Sequence, residues 1–254
     1  MVVPAHGLAS ETFGDGPQVV LVHGFTQTGR SWAQVAADLG RDHRVTTVDA
    51  PGHGDSSELA CGLAEAADRL GRTGGRATYL GYSMGGRIAL HLALQHPYLV
   101  DRLILLGATG GLDTEAERAQ RRAADDRLAA DLERDGVDAF LDRWLANPMF
   151  AGLPDDPAAL ADRRRNTVGG LASSLRLAGT GSQEPLWGRL PALEMPVLVL
   201  AGEHDAKFRA LGERLADTIG TNARFEVIAG AGHAAHLARP AAFLRSVRRF
   251  LDEP

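Results

Sequence analysis

The residues with the clearest chemical potential are Gly81-Tyr82-Ser83-Met84-Gly85-Gly86, which follow the apolar run Ala77–Leu80 and open a helical stretch ending near Gln95. A G-x-S-x-G turn between strand and helix exposes its serine at a helix N-terminus, where the dipole and free N–H groups favour developing negative charge. Bulky side chains at Gly81 or Gly85 would clash in so tight a turn. A serine hydroxyl is a weak base and a weak nucleophile until an imidazole takes its proton, and a carboxylate must hold that imidazole. The chain offers both in the order serine, acid, histidine. After the run Val197–Leu200 comes Ala201-Gly202-Glu203-His204-Asp205, and after Arg224–Ile228 comes Gly230-Ala231-Gly232-His233. Asp205 is preferred to Glu203 because the loop has turned out from the strand end by then. His233 competes with His236, but the preceding Gly-Ala-Gly lets its ring fold back toward Ser83. His6, His43, His91, His96 and His204 read as solvated or packing histidines.

Negative charge developing beside Ser83 needs two backbone donors. The Met84 amide supplies one, and the loop His23-Gly24-Phe25 after the run Val19–Val22 supplies the other, from Phe25. A second glycine-rich turn, Asp49-Ala50-Pro51-Gly52-His53-Gly54-Asp55-Ser56, lacks the spacing of a phosphate loop and reads as structural. No His, Cys and acid spacing suggests a metal site, so no metal is expected.

Short apolar runs at Val19–Val22, Val45–Val48, Ala77–Leu80, Leu103–Leu106, Val197–Leu200 and Arg224–Ile228 have the continuous hydrophobicity of strands covered on both faces. Helical stretches around Trp32–Leu39, Gly85–Gln95, Phe208–Thr218 and Ala241–Phe250 alternate with them. The pattern predicts an α/β fold with a doubly wound, mostly parallel sheet. Residues 111–190 break the rhythm, being charged, helical and without a convincing strand. They are expected to form a helical cap inserted between two core strands, with residues 1–110 and 191–254 as the core. A cap over the strand C-termini would cover the place where open α/β sheets bind ligands.

The 254 residues carry 27 basic and 32 acidic side chains, a net charge of −5, which gives no general field for polyanions and argues against a nucleic-acid partner. No apolar run is long enough for membrane insertion, and Met1–Ser10 has no secretory pattern, so a cytoplasmic protein is expected. The single Cys61 fits a reducing compartment. Lys207 is the only lysine among the 27 basic residues. Codon bias accounts for most of that imbalance.

His23-Gly24, Pro51-Gly52-His53-Gly54, the Gly81–Gly85 turn, Asp205 and Gly232-His233 together resemble the α/β-hydrolase superfamily over essentially the whole chain. Narrower marks are Arg87 after the elbow, Glu117-Arg118-Ala119-Gln120-Arg121-Arg122 with Asp125, Trp144 with Asn147-Pro148-Met149-Phe150, and Arg164-Arg165-Asn166. To these add Gly179-Thr180-Gly181-Ser182-Gln183 and Asp205-Ala206-Lys207-Phe208. These segments are similar to those of the 2-succinyl-6-hydroxy-2,4-cyclohexadiene-1-carboxylate synthases, the pyruvate-eliminating enzymes of menaquinone biosynthesis. Ala234, where the family favours Asn, and Arg239 depart from its pattern.

The resemblance implies a cofactor-free lyase acting on a small polycarboxylate substrate, with Ser83, His233 and Asp205 as a base. It implies substrate binding by Arg121, Arg164 and Arg87, with Trp144 as an apolar wall and the Tyr82 hydroxyl beside the serine. Arginine forks suit carboxylates because two parallel N–H···O bonds form at once. Other readings of the same residues stand beside these. Arg121 with Asp125 and Arg122 with Asp126 have the spacing of solvated helix pairs. Arg87 could brace the core, and Trp144 could belong to the core of the cap. For the whole protein the alternative is a serine hydrolase of an ester or a C–C bond, working through an acyl-enzyme.

Overall fold

The computed structural model describes residues 7–253, so His6 and the start of the Met1–Ser10 stretch lie outside it. The apolar runs form six neighbouring parallel strands: β2 (Gln18–Val22), β3 (Arg44–Val48), β4 (Ala77–Tyr82), β5 (Val100–Leu106), β6 (Val197–Gly202) and β7 (Ala223–Ile228). The sheet order is β1-β3-β2-β4-β5-β6-β7, with β1 (Ser10–Phe13) antiparallel at the edge. Sequence reading missed β1. It is four residues long and half exposed, and it lacks the apolar run that marks a buried strand.

Successive residues of a strand face opposite sides. Val19 and Leu21 enter one buried cluster, with Trp32 and with residues of α1 (Ala33–Leu39) and α9 (Pro240–Leu251). Val20 and Val22 enter the other, under α2 (Leu63–Gly74), α3 (Met84–Gln95) and α7 (Ala206–Ile219). The second missed element, α2, buries Leu63, Ala66, Ala67, Leu70, Gly71 and Gly74, a face with only two large apolar side chains.

Between β5 and β6 run α4 (Glu115–Leu145), α5 (Pro157–Arg163) and α6 (Val168–Ala178). A capping box of Thr114 and Glu117 starts α4, and Gly136, at φ 81°, breaks it into two helices. Ala129, Leu132, Phe140, Leu171, Ala172 and Leu175 form a separate buried cluster, against which Phe25 and Trp144 pack. This segment therefore joins the core through the loop after β2.

The chain leaves β2 toward β3 on one side and returns to β4 on the other, which opens a crevice between the loops after β2 and β4. Val22 pairs with Gly81, so the two loops emerge side by side. Their contact depends on glycine. A Cβ on Gly85 would overlap the Val22 carbonyl oxygen and lie 2.6 Å from that of His23. Gly85→Ala should therefore cost about 1–3 kcal/mol through overpacking against backbone. Thermal unfolding checks this, and an unchanged midpoint would show that the two loops are not in forced contact.

Candidate active site

Ser83 sits between β4 and α3 at φ 52°, ψ −109°, a conformation that L residues adopt only under constraint from their surroundings. Its amide donates to the Leu106 carbonyl at 2.8 Å, and glycines at 81 and 85 give the turn its room. The loops after β6 and β7 approach from the other side. A Cβ on Gly202 would overlap the carbonyls of Ala231 and Gly232, so only glycine lets the acid loop and the histidine loop lie flush. His233 rests on Gly107 of the loop after β5, where a Cβ would come within 2.8 Å of the imidazole.

These loops bring three side chains into line. His233 Nε2 lies 3.1 Å from Ser83 Oγ, and His233 Nδ1 lies 2.6 Å from Asp205 Oδ2. A carboxylate can only accept, so Nδ1 carries the proton and Nε2 is free to take one from Ser83. The other carboxylate oxygen of Asp205 accepts the Phe208 amide at 3.2 Å, which caps α7 and fixes the acid. The competing residues stand elsewhere. Glu203 accepts the Gly230 amide at 2.7 Å and braces the turn before the histidine loop. His236 is buried between the rings of Trp32 and Tyr82, with centroids 4.4 and 4.5 Å away.

Met84 opens α3, and its amide and that of Phe25 donate to no group among the described residues. Gly24 places the second amide, since a Cβ there would lie 2.6 Å from the Tyr82 ring and 3.5 Å from Ser83 Cβ. The loop is held from behind by two neutral histidines. His23 accepts the Ala50 amide through Nε2 at 2.9 Å and donates from Nδ1 to the Gly24 carbonyl at 2.8 Å. His53 accepts the Thr26 amide through Nε2 at 3.3 Å and donates to the Pro51 carbonyl at 3.0 Å. The turn containing His53 is structural, and what it supports is this loop.

Ser83 and His233 open into a cavity of about 610 Å³ covered by the inserted helices. Arg87 and Arg121 line it, as do Tyr82 and Trp144. Arg87 is buried and donates to the Ala178 carbonyl at 2.8 Å, and burial lowers its pKa to about 10. Arg121 pairs with Asp125 at 2.8 Å, as its spacing allowed, but Asp125 is buried and Arg121 lines the cavity. Burial raises the Asp125 pKa, and its second oxygen has no partner among the described residues. The Trp144 ring packs on Phe25, Phe140 and Phe150 and also lines the cavity. Burial holds the Tyr82 phenol well above its ordinary pKa.

Two expectations fail. Arg164 does not reach the cavity; its guanidinium, half exposed, pairs with Asp138 at 2.7 Å. The buried arginine is its neighbour Arg163, which donates to Thr26 Oγ1 behind the loop after β2. Asn166 joins it, donating to the Thr26 carbonyl at 2.8 Å and accepting the Gly54 amide at 2.9 Å. Arg122 does not pair with Asp126; it bonds Glu115 and the Gly181 carbonyl. Sequence reading also missed Arg214 and the position of Lys207, both of which line the cavity. Lys207, Leu211 and Arg214 have helical spacing along α7, and that was the available signal.

Residues 17–240 match the family described as alpha/beta hydrolase fold. A 2-succinyl-6-hydroxy-2,4-cyclohexadiene-1-carboxylate synthase of Citrobacter koseri is 36% identical, covering 92% of this chain and 94% of that protein. One from an Enterobacter species is 34% identical over 92% of each. The chain belongs to this synthase family within the α/β-hydrolase fold. The structure of MenH from S. aureus superposes with a TM-score of 0.89 and 28% identity, covering 95% of this chain and 97% of that one. A thermophilic esterase from Thermogutta terrifontis also superposes, at 0.81 and 27% identity, so the scaffold is shared with ester hydrolases. Among the described residues no helix is long and apolar enough to cross a membrane.

Burial lowers the pKa of His23 to about 4 and that of His53 to about 3. His91 and His236 are shifted the same way, to about 4 and about 3. The folded protein keeps these rings neutral, whereas the unfolded chain takes up protons below about pH 6.5, so acid favours unfolding. Buried Asp49 and Asp125, shifted upward, oppose this only near the carboxylate range. The melting temperature should fall steadily from pH 6.5 toward pH 4. An equal or higher melting temperature at pH 5 than at pH 7 would contradict these assignments.

Proposed function

We propose that this protein eliminates pyruvate from 2-succinyl-5-enolpyruvyl-6-hydroxy-3-cyclohexene-1-carboxylate, giving 2-succinyl-6-hydroxy-2,4-cyclohexadiene-1-carboxylate, with Ser83, His233 and Asp205 as its base. The observation that carries this reading is a serine–imidazole–carboxylate chain opening into a cavity whose walls hold Arg87 and Arg121. A small polycarboxylate fits such walls because guanidinium groups donate to carboxylates in pairs.

Conversion of a 3-ene to a 2,4-diene removes a proton from ring carbon 2 and the oxygen substituent from carbon 5. The succinyl ketone on carbon 2 makes that proton acidic. His233 draws the proton of Ser83, and Ser83 Oγ takes the carbon 2 proton. The C–H pair becomes the new 2,3 double bond, the old double bond shifts to 4,5, and the carbon 5–oxygen bond breaks with its electrons on enolpyruvate. That enolate takes a proton at carbon and leaves as pyruvate. Charge passing through the ketone oxygen faces the Phe25 and Met84 amides, which serve as the oxyanion donors. Asp205 stabilises the imidazolium that exists between the two proton transfers.

A coupled assay that generates the substrate in situ should record pyruvate and the diene together, and Ser83→Ala should abolish both. Hydrolysis of simple esters without pyruvate release would overturn the reading in favour of an acyl-enzyme hydrolase. The cation wall has its own test. Arg121→Ala should reduce kcat/KM by about 2 kcal/mol, roughly 30-fold. Arg164→Ala removes only an exposed ion pair and should leave kcat/KM unchanged within about twofold. The reverse ranking would contradict the assignment of the cavity.

A further inference from the structure

Among the described residues four Arg and Lys side chains line the cavity, and three of them are fixed by their surroundings. Arg121 is paired with Asp125. Arg214 makes two 2.8 Å bonds to Asp113 and stacks on Trp187, with its guanidinium carbon 3.7 Å from the ring centroid. Arg87 is buried beneath Ala178. Lys207 differs from all three. It has no acidic partner among the described residues, and its ammonium lies 5.4 Å from the centre of the Phe208 ring. That ring in turn lies 4.3 Å from the His233 imidazole. On α7 the residues at 207, 211 and 214 share the face turned to the cavity, and Lys207, at the first turn and exposed, is at the mouth. The chain uses arginine at every other basic position, yet places a lysine here.

We propose that Lys207 receives the carboxylate of the departing enolpyruvyl group and so acts on the leaving-group side of the reaction. This rests on the elimination proposed above. In that reaction the base works at ring carbon 2 while the C–O bond breaks at carbon 5, across the ring. As the bond breaks, its electron pair moves onto the enolpyruvate, whose charge grows from one carboxylate to a carboxylate plus an enolate. A cation there gains more in the transition state than in the ground state, which is the condition for raising the rate. An ammonium on a flexible stem is a mobile point charge that can follow and release an anion. The three guanidinium groups, each tied to its own partner, suit the carboxylates that stay on the ring.

The substrate carries the enolpyruvyl carboxylate and the diene product does not, which separates this role from general substrate binding. Lys207→Gln should reduce kcat/KM for pyruvate release by roughly 10- to 100-fold, with Lys207→Arg recovering part of the loss. The dissociation constant of the diene product should stay within about twofold of wild type in both variants. Two results would overturn the proposal: kcat/KM of Lys207→Gln within twofold of wild type, or product affinity falling in step with kcat/KM. The second would place Lys207 on a carboxylate that the product retains. Failure of the underlying reading shows separately, as a wild-type protein that releases no pyruvate.

Discussion

One imidazole must reach a serine and a carboxylate at once, and much of the architecture around it serves that reach. Ser83, Asp205 and His233 stand on loops after three strands, β4, β6 and β7, and the bonds at 3.1 and 2.6 Å exist only if those strand ends are level. Parallel pairing levels them. Glycine then removes the side chains that would hold the loops apart: Gly85 against β2, Gly202 against the histidine loop, and Gly107 under the ring itself. A Cβ at any of these points would collide with a neighbouring carbonyl or with the imidazole and force the loops apart.

The same economy governs the loop after β2. Thr26, at φ 68°, is held by His53 at its amide, by Asn166 at its carbonyl and by Arg163 at its hydroxyl. Two of those three residues come from the end of α5 and the turn that leads from it to α6. The inserted helices therefore do more than roof the cavity. They help set the Phe25 amide, so the geometry of the two amides proposed as oxyanion donors depends on how this segment docks. Phe25 makes the coupling physical from the other side, since its ring packs on Phe140 and Trp144.

How far the sequence could be read depended on burial. The interior strands were legible because both faces are covered and most of their residues are apolar, and the edge strand β7 because it keeps Phe225, Val227 and Ile228, whereas β1, with one apolar residue, and the alanine- and glycine-lined α2 were not. Ser83, Asp205 and His233 could be chosen from local turn chemistry and chain order, because each follows a readable strand. The arginines were harder. The resemblance points to Arg164, but in Arg163-Arg164-Arg165 the residue type is constant and only helical phase decides which side chain turns inward, and that one is Arg163. Arg121 and Asp125 show the opposite difficulty: their spacing is right for a surface pair, and only the packing of α4 on α6 reveals that the carboxylate is buried. The arginine excess thus conceals a few cations placed by the fold, and the lone lysine stands with them at the cavity.

In the proposed reaction Ser83 removes a proton from carbon rather than attacking a carbonyl. Deuterium at ring carbon 2 of the substrate tests it most directly. A primary isotope effect on kcat/KM for pyruvate release is expected, with intact-protein mass spectrometry showing no adduct on Ser83 during turnover. Turnover insensitive to that deuterium, together with a covalent acyl group on Ser83, would contradict it.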